Sequence, residues 1–309
     1  MSLTIRRISG FATIQDGGRR GYRAEGVPLC GAMDPISLAR ANALVGNPGT
    51  AAAIEWALAG GIVRFSTSVI VAVAGAEIEL TRNGAVLATN GAVEFAPGDE
   101  LAIGRLVRGS YAYIAVRGGI DVPAVLGSRS TYLPAAFGGL DGRRLRAGDV
   151  LAIGAAGRRK RKPRPASSRS LRDSREMRPI RAIEGPNTSA FTKGFAERFW
   201  ASEFTLSPTS NRTGYRLTRE AHADPDAPDR SGISEPACVG AIQVPDGASA
   251  IVLMPDGPTV GGYPKIGVVA SVDIAELAQR MPGDSMRFER ITVKEAQRLL
   301  RKQRSLAAR

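Results

Sequence analysis

Ser234-Glu-Pro-Ala-Cys-Val-Gly-Ala-Ile-Gln-Val-Pro245, followed by Ala250-Ile-Val-Leu-Met254 and Pro255-Asp-Gly-Pro-Thr-Val-Gly-Gly-Tyr-Pro-Lys265, alternates short apolar strands with Gly/Pro turns. Such runs, too short for helices and bounded by turn formers, predict a β-rich unit. Glu235, Gln243, Asp256, Tyr263 and Lys265 stand on the turns and strand ends. Polar side chains carried by turns between rigid strands are where binding and catalysis concentrate.

Working outward, the same grammar covers residues 61–154. Strands are predicted at 69–74, 76–80, 101–103, 111–116 and 150–153, cut by Gly, Asn-Gly and Pro-Gly-Asp turns. The chain opens with strand-like sequence over 3–15, ending in Gln15-Asp16-Gly17-Gly18. Asp34-Pro35 has the chemistry of a helix start, and an apolar stripe from Ile36 to Val45 follows until Gly46 ends it. On the C-terminal side, 179–183, 204–207, 241–244, 250–253, 267–271 and 286–291 read as strands and 191–200 as a short helix. Asp273 with Glu276, and Thr292 with Glu295, have capping-box spacing; they predict a helix over 273–281, stopped by Pro282, and a basic C-terminal helix.

Between these halves lies Arg-Arg-Lys-Arg-Lys-Pro-Arg-Pro, then Ser- and Arg-rich sequence without apolar periodicity, which reads as an extended linker over 158–178. The domain plan is therefore a first β lobe over 1–157, this linker, and a second β lobe over 179–309. The halves echo each other. Arg19-x-Gly21-Tyr22-Arg23 recurs as Arg212-x-Gly214-Tyr215-Arg216, and Gly31-Ala-Met-Asp34 loosely as Gly240-Ala-Ile-Gln243. Two related lobes in tandem account for this.

Charge sharpens the division. Of a formal net charge of +13, residues 158–181 hold +9 and 294–309 hold +5, leaving −1 for the rest. A nucleic-acid-binding domain carries basic residues and stacking aromatics on its own folded face, so nucleic acid is not the expected partner here. Two distant cysteines, Cys30 and Cys238, form no CxxC or other metal spacing. With no signal-peptide pattern and no apolar run of membrane-spanning length, the expectation is a cytoplasmic protein. His222, the single histidine, stands in a polar acidic stretch without a Gly-x-Ser-x-Gly elbow elsewhere. There is also no Gly-x-x-x-x-Gly-Lys-Ser/Thr phosphate loop. The Met-Lys-Met signature of a covalently carried biotin is absent, and no metal site is expected.

What remains is a set of polar groups on turns. Arg212 and Arg216 flank Tyr215, and arginine's planar fork suits a carboxylate or a bicarbonate-like anion, or a salt bridge between loops. Glu235 or Asp256 could serve as a base or orient an amide, and Lys265 could polarise a carbonyl.

Longer motifs carry a resemblance. In the first half they are Ile14-Gln-Asp-x-Gly-Arg-x-Gly-Tyr22, Gly26-Val-Pro-x-x-Gly-Ala-Met-Asp34, Ala41-Asn-x-Leu-Val-Gly-Asn-Pro48 with Glu55, Val116-Arg-Gly-Gly-Ile-Asp121 and Gly127-Ser-Arg-Ser-Thr131. In the second they are Ser207-Pro-x-Ser-Asn-Arg-x-Gly-Tyr-Arg-Leu217, Ser234-Glu-Pro236, Gly240-Ala-Ile-Gln-Val-Pro245 and Gly261-Gly-Tyr-Pro-Lys265. Together they resemble the biotin-dependent carboxyltransferase family, which includes allophanate hydrolase subunit 2, the C-type subunit of 5-oxoprolinase and part of urea carboxylase.

The resemblance implies a mainly β fold with a few short helices, built as two cyclophilin-like β-barrel lobes in tandem. It implies a subunit of an ATP-dependent hydrolase of a cyclic amide, of the 5-oxoprolinase type and inactive alone, working with a smaller cyclophilin-like sister subunit on a small amide. ATP would be engaged through the complex. The alternatives are biotin-dependent carboxyl transfer to urea or a similar amide, with carboxybiotin presented by another chain, and a non-catalytic partner of the sister subunit. Carried over by position, Arg212, Tyr215, Glu235, Asp256 and Lys265 are the catalytic candidates. Gln243, Gly261, Gly262, Tyr263, Asp16, Arg19 and Asp34 are the substrate-binding ones. Pro258 departs from the family pattern, which has a polar residue there.

Overall fold

The computed structural model describes residues 1–58, 60–156, 178–219, 226 and 233–307. Except for Arg178, the expected linker lies outside the described residues, as does His222. Contacts divide the chain into two units, Met1–Arg20 with Leu29–Asp173, and Gly21–Pro28 with Ser174–Arg309.

In the first unit the strands are β1 Ser2–Ile8, β2 Phe11–Gln15, β3 Ala53–Ala57, β4 Gly61–Phe65, β5 Val69–Arg82, β6 Ala85–Leu87, β7 Ala92–Phe95, β8 Glu100–Val116, β9 Ile120–Asp121 and β10 Val150–Ile153, with helix α1 over Pro35–Val45. They form one ten-stranded sheet in the order β2-β3-β8-β4-β1-β10-β9, with β5 joined to β8 and carrying β6 and β7. Leu3, Ile5, Ile14, Trp56, Phe65 and Ile114 meet in its core. The expected strands at 69–74 and 76–80 are one strand, and so are those at 101–103 and 111–116. The reason lies at Gly75, which has φ +113° and whose absent Cβ would stand 2.4 Å from the Tyr111 carbonyl oxygen. A glycine there keeps the ladder running through register shifts instead of ending it.

Helix α1 begins as its sequence requires. Asp34 accepts hydrogen bonds from the N–H groups of Ile36 and Ser37, Pro35 opens the first turn, and Gly46 closes the helix at φ 82°.

The second unit contains β11 Ile180–Glu184, α2 Lys193–Ala201, β12 Glu203–Leu206, β13 Gly214–Thr218, β14 Glu235–Pro236, β15 Ala241–Gln243, β16 Ser249–Leu253, β17 Val260–Gly261, β18 Lys265–Val269, α3 Ile274–Ala278, β19 Ser285–Arg290 and α4 Val293–Ala307. Seven strands close a barrel in the order β11-β18-β15-β16-β13-β12-β19. Strand β11 makes the closure, antiparallel to β18 and parallel to β19. Phe195 and Phe199 of α2 pack with Phe204 and Phe288; the Phe199–Phe204 centroids are 5.0 Å apart. On α4, Thr292 caps the N–H of Glu295 at 3.2 Å. Ala296, Leu299 and Leu300 pack on Ala270, Val272 and Ile291, while Lys294, Arg298 and Arg301 face solvent. Among the described residues, no helix is long and apolar enough to cross a membrane.

The expected capping box at Asp273 does not form, and α3 is shorter than predicted. The Asp273 carboxylate is fully buried and is claimed by arginines. Arg181 donates through Nε at 2.8 Å and through its backbone N–H at 2.9 Å, and Arg178 donates at 2.7 Å. Burial pushes this carboxyl's pKa up, but the bonds from Arg181 and the positive charges outweigh it and hold the group below the usual range. Its contribution to stability is therefore present at neutral pH and is lost as pH falls through the folded-state value. Asp273→Asn should cost about 3–5 kcal/mol in urea unfolding at neutral pH, because two arginines lose their buried partner. The same variant should show a flatter loss of stability on acidification than the parent chain.

Candidate active site

The site grows from the first residue of β18. Strand β15 pairs with β18 as Ile242↔Gly267 and then Gln243↔Lys265, so one extra residue is bulged out of β18. A bulge of this kind re-aims the side chains beside it. The chain leaving β11 crosses the same spot. Gly185 donates its N–H to the Ile266 carbonyl at 3.0 Å, and a Cβ on Gly185 would lie 2.1 Å from the Lys265 carbonyl oxygen. Only glycine permits that backbone-on-backbone approach, and it delivers Asn187 to the start of β18.

Asn187 then uses both ends of its carboxamide. Its Oδ1 accepts the Lys265 backbone N–H at 3.0 Å, and its Nδ2 donates to the two Glu235 oxygens at 3.2 and 3.1 Å. Lys265 Nζ donates to Glu235 Oε2 at 2.9 Å. Glu235 pairs with Gly261 across the short β14–β17 ladder. A Cβ on Gly261 would come within 2.6 Å of Gln243 Nε2, so the Gln243 carboxamide lies against that backbone. Asn187, Glu235, Gln243, Gly261 and Lys265 thus converge. The Lys265 side chain is 4% exposed and that of Glu235 42%, giving the cluster a buried end and a solvent-facing end. Gly262 is half-buried, and Tyr263 is exposed at the rim of the same loop.

The hydrogen bond from Lys265, then that from Asn187, hold the Glu235 carboxyl below the usual carboxylate range. Glu235 is therefore an anion at neutral pH. It is a weak base, and its effect is to fix a positive charge. An ammonium has three donors and Glu235 takes one, so Lys265 retains the capacity to meet an incoming carbonyl or carboxylate oxygen.

Arg212 and Asp256 are brought to each other. Arg212 Nε and a terminal nitrogen donate to the two Asp256 oxygens at 2.8 and 2.9 Å, both side chains buried. Asp256 N–H also donates to the Arg212 carbonyl at 3.0 Å and Met254 N–H to that of Thr213 at 3.1 Å, so the pair staples two turns. Tyr215 is buried, and its hydroxyl donates to the Ala278 carbonyl at 2.8 Å, anchoring the end of α3. Arg216 points to solvent, and Pro258 is exposed.

In the first unit, Asp16, Arg19 and Asp34 each organise a loop. Asp16 accepts from Gly18 N–H, the Ser128 and Ser130 hydroxyls and Arg129 N–H at 2.5–2.9 Å. Arg19 is fully buried. It donates to the Val125 and Ser130 carbonyls at 2.9 and 3.0 Å and lies over the Phe137 ring. Beside the Asp34 cap, Asp34 N–H donates to the Tyr113 hydroxyl, which donates to Glu55. The Tyr113 pKa is driven well above its ordinary value by burial, then by the charges of Glu55 and Asp34. Asn187 is the residue that sequence reasoning missed. Its signal was Gly185-Pro186-Asn187 directly after a strand, a turn with a polar amide. Among the described residues, no three His, Cys, Asp or Glu side chains gather as a metal set.

This fold has known counterparts. The family model for a carboxyltransferase domain, subdomain A and B, matches residues 25–290, and the chain belongs to that family. The C-type subunit of 5-oxoprolinase from Escherichia coli K12 is 38% identical over 95% of this chain and 93% of its own length. That of Haemophilus influenzae is 34% identical, over 97% and 94%. The urea amidolyase of Lachancea kluyveri is 34% identical over 94% of this chain, which spans 17% of that much longer protein. The crystal structure of the Kluyveromyces lactis urea amidolyase superposes with a TM-score of 0.89 at 30% identity, covering 99% of this chain and 20% of the other.

Two measurements probe the geometry. In a carbon-detected titration of the Glu235 carboxyl, Lys265→Met should raise its pKa most and Asn187→Ala less, both toward the ordinary range. Asp256→Ala should cost about 3–5 kcal/mol by leaving Arg212 buried without its partner, and the double change Arg212→Met with Asp256→Leu should recover most of that loss.

Proposed function

We propose that this chain is the C-type subunit of a 5-oxoprolinase, working in the cytoplasm with a smaller sister subunit to open a small cyclic amide in an ATP-dependent hydrolysis, and inactive alone. The observation that carries this reading is the reciprocal coverage with the Escherichia coli protein, 95% of this chain against 93% of that one. The urea amidolyases, by contrast, match as one part of a far longer protein.

ATP would give its terminal phosphoryl group to the amide oxygen with ADP leaving; water then adds to the amide carbon, phosphate departs, and the C–N bond of the ring breaks with the nitrogen taking a proton. The chain lacks a phosphate-cradling loop of the Gly-x-x-x-x-Gly-Lys-Ser/Thr kind, so nucleotide binding is assigned to the other subunits. In this chain Lys265 donates to the oxygens of the transferred phosphoryl group, on which the charge of the departing phosphate collects. Glu235 keeps the Lys265 side chain aimed, and Asn187 fixes Glu235. Gln243 and the Gly261 backbone supply amide-to-amide hydrogen bonds along one edge of the ring. Arg212 and Asp256 hold the turn that precedes this loop, as the buried staple described above.

A second reading, carboxyl transfer to urea or a similar amide, is favoured by the superposition on urea amidolyase over 99% of this chain. Carboxybiotin presented by another chain would bring the carboxyl group. The donors of Lys265 and Gln243 fit a carboxylate and a ureido oxygen.

The test is to purify the full complex and assay 5-oxoproline-dependent ATP hydrolysis and glutamate release. Turnover is expected, with Lys265→Met lowering kcat by about 100- to 1,000-fold, the cost of removing a donor from developing charge. Activity on urea with a biotin carrier and none on 5-oxoproline would replace the first reading by the second. Inactivity in both assays would overturn both.

A further inference from the structure

A second recess lies in the barrel unit, where the Gly185–Asn187 crossing meets helix α2. It is a cleft of about 300 Å³. Phe191, Ala196, Trp200 and Ile266 form its apolar surface. Trp200 reaches this position because residue 267 is glycine; a Cβ there would stand 2.8 Å from the indole ring. Around that surface stand Glu184, Thr188, Thr192 and Lys193. One carboxylate and one ammonium therefore line a single small cleft with an aromatic floor.

The two charges are tied only loosely to the fold. Lys193 is 91% exposed and meets Glu197 at 3.9 Å, while Glu184 is 54% exposed and accepts from Arg290 at 2.8 Å. Exposed pairs of this kind contribute little to stability, so they yield readily to a better partner. A carboxylate has about four lone-pair positions, and Arg290 does not exhaust those of Glu184. Thr192 accepts the Phe195 N–H at 3.1 Å, which leaves its own hydroxyl proton to donate. The positive end of the α2 dipole adds to Lys193 on the same side.

We propose that this cleft binds a free α-amino acid with an apolar side chain. The ligand's carboxylate meets Lys193 and the Thr188 and Thr192 hydroxyls, its ammonium meets Glu184, and its side chain lies on Trp200 and Phe191. The volume sits at the small end of ligand sites, which suits one amino acid. The cleft also shares its wall with the active cluster. Thr188 follows Asn187, and Ile266 follows Lys265, so an occupant presses on the two segments that hold Glu235.

The experiment uses the full chain, calorimetry with L-leucine and L-methionine, and the same titrations with N-acetyl-leucine and leucinamide. Saturable one-to-one binding of the zwitterions is expected, with each single-charge derivative weaker by about tenfold or more, the cost of one lost charge-assisted hydrogen bond. Lys193→Glu, at a position that cannot unsettle the core, should lose about tenfold or more, and Thr188→Val less. The Glu235 carboxyl resonance should move on saturation. Absence of saturable binding, or binding unchanged by both Lys193→Glu and Thr188→Val, would overturn the proposal.

Discussion

The second unit depends on the closure of its barrel by β11. One short strand hydrogen-bonds antiparallel to β18 on one side and parallel to β19 on the other. A parallel pairing cannot be made by a tight hairpin, so the partners must be brought together from a distance in sequence. The fully buried Asp273, held by Arg178 and Arg181 beside β11, fixes this join electrostatically. Because β11 is pinned on both sides, the residues that follow it have little freedom. Gly185 is forced across β18, and Asn187 arrives where Lys265 begins. The candidate cluster is thus a by-product of how the barrel is shut.

The chemistry follows from unequal burial. Lys265 is withdrawn from water while its partner Glu235 is partly hydrated. A buried ammonium needs a fixed counter-charge, and Asn187 and the β14–β17 ladder supply it in a constant place. Electrostatic stabilisation works best when donors are oriented before the substrate arrives, and here the orientation is built into backbone pairings. The paired lobes of the sequence use their repeated arginine differently in charge and alike in purpose. Arg212 grips a carboxylate and Arg19 grips carbonyl oxygens, and each fastens one loop to another.

Much of this was legible from residues alone. Asp34-Pro35 and Gly46 bounded α1, and Thr292 capped α4, because local cap chemistry decides both. Asp273 had the same spacing signal, yet arginines from a distant segment competed for its carboxylate and won. Gly75 read as a break, since sequence periodicity does not reveal that a strand can run through a glycine at positive φ. Glu235, Gln243, Gly261 and Lys265 were legible as a candidate cluster because they lie within one short stretch. Asn187 was not, being 48 residues from Glu235 and 78 from Lys265 along the chain. Tyr215, Arg212 and Asp256 were visible as polar residues, but only the structure gives their partners.

The segment Gly21–Pro28 belongs with the barrel unit although the chain on both sides of it belongs with the first. It is folded back on itself by Val27 N–H to the Tyr22 carbonyl and Gly26 N–H to the Arg23 carbonyl, and Arg23 donates to the Ala237 carbonyl, two residues from Glu235. The physical seam therefore does not coincide with any single cut in the polypeptide. A gene fragment starting after the basic stretch would encode a barrel missing one of its own parts.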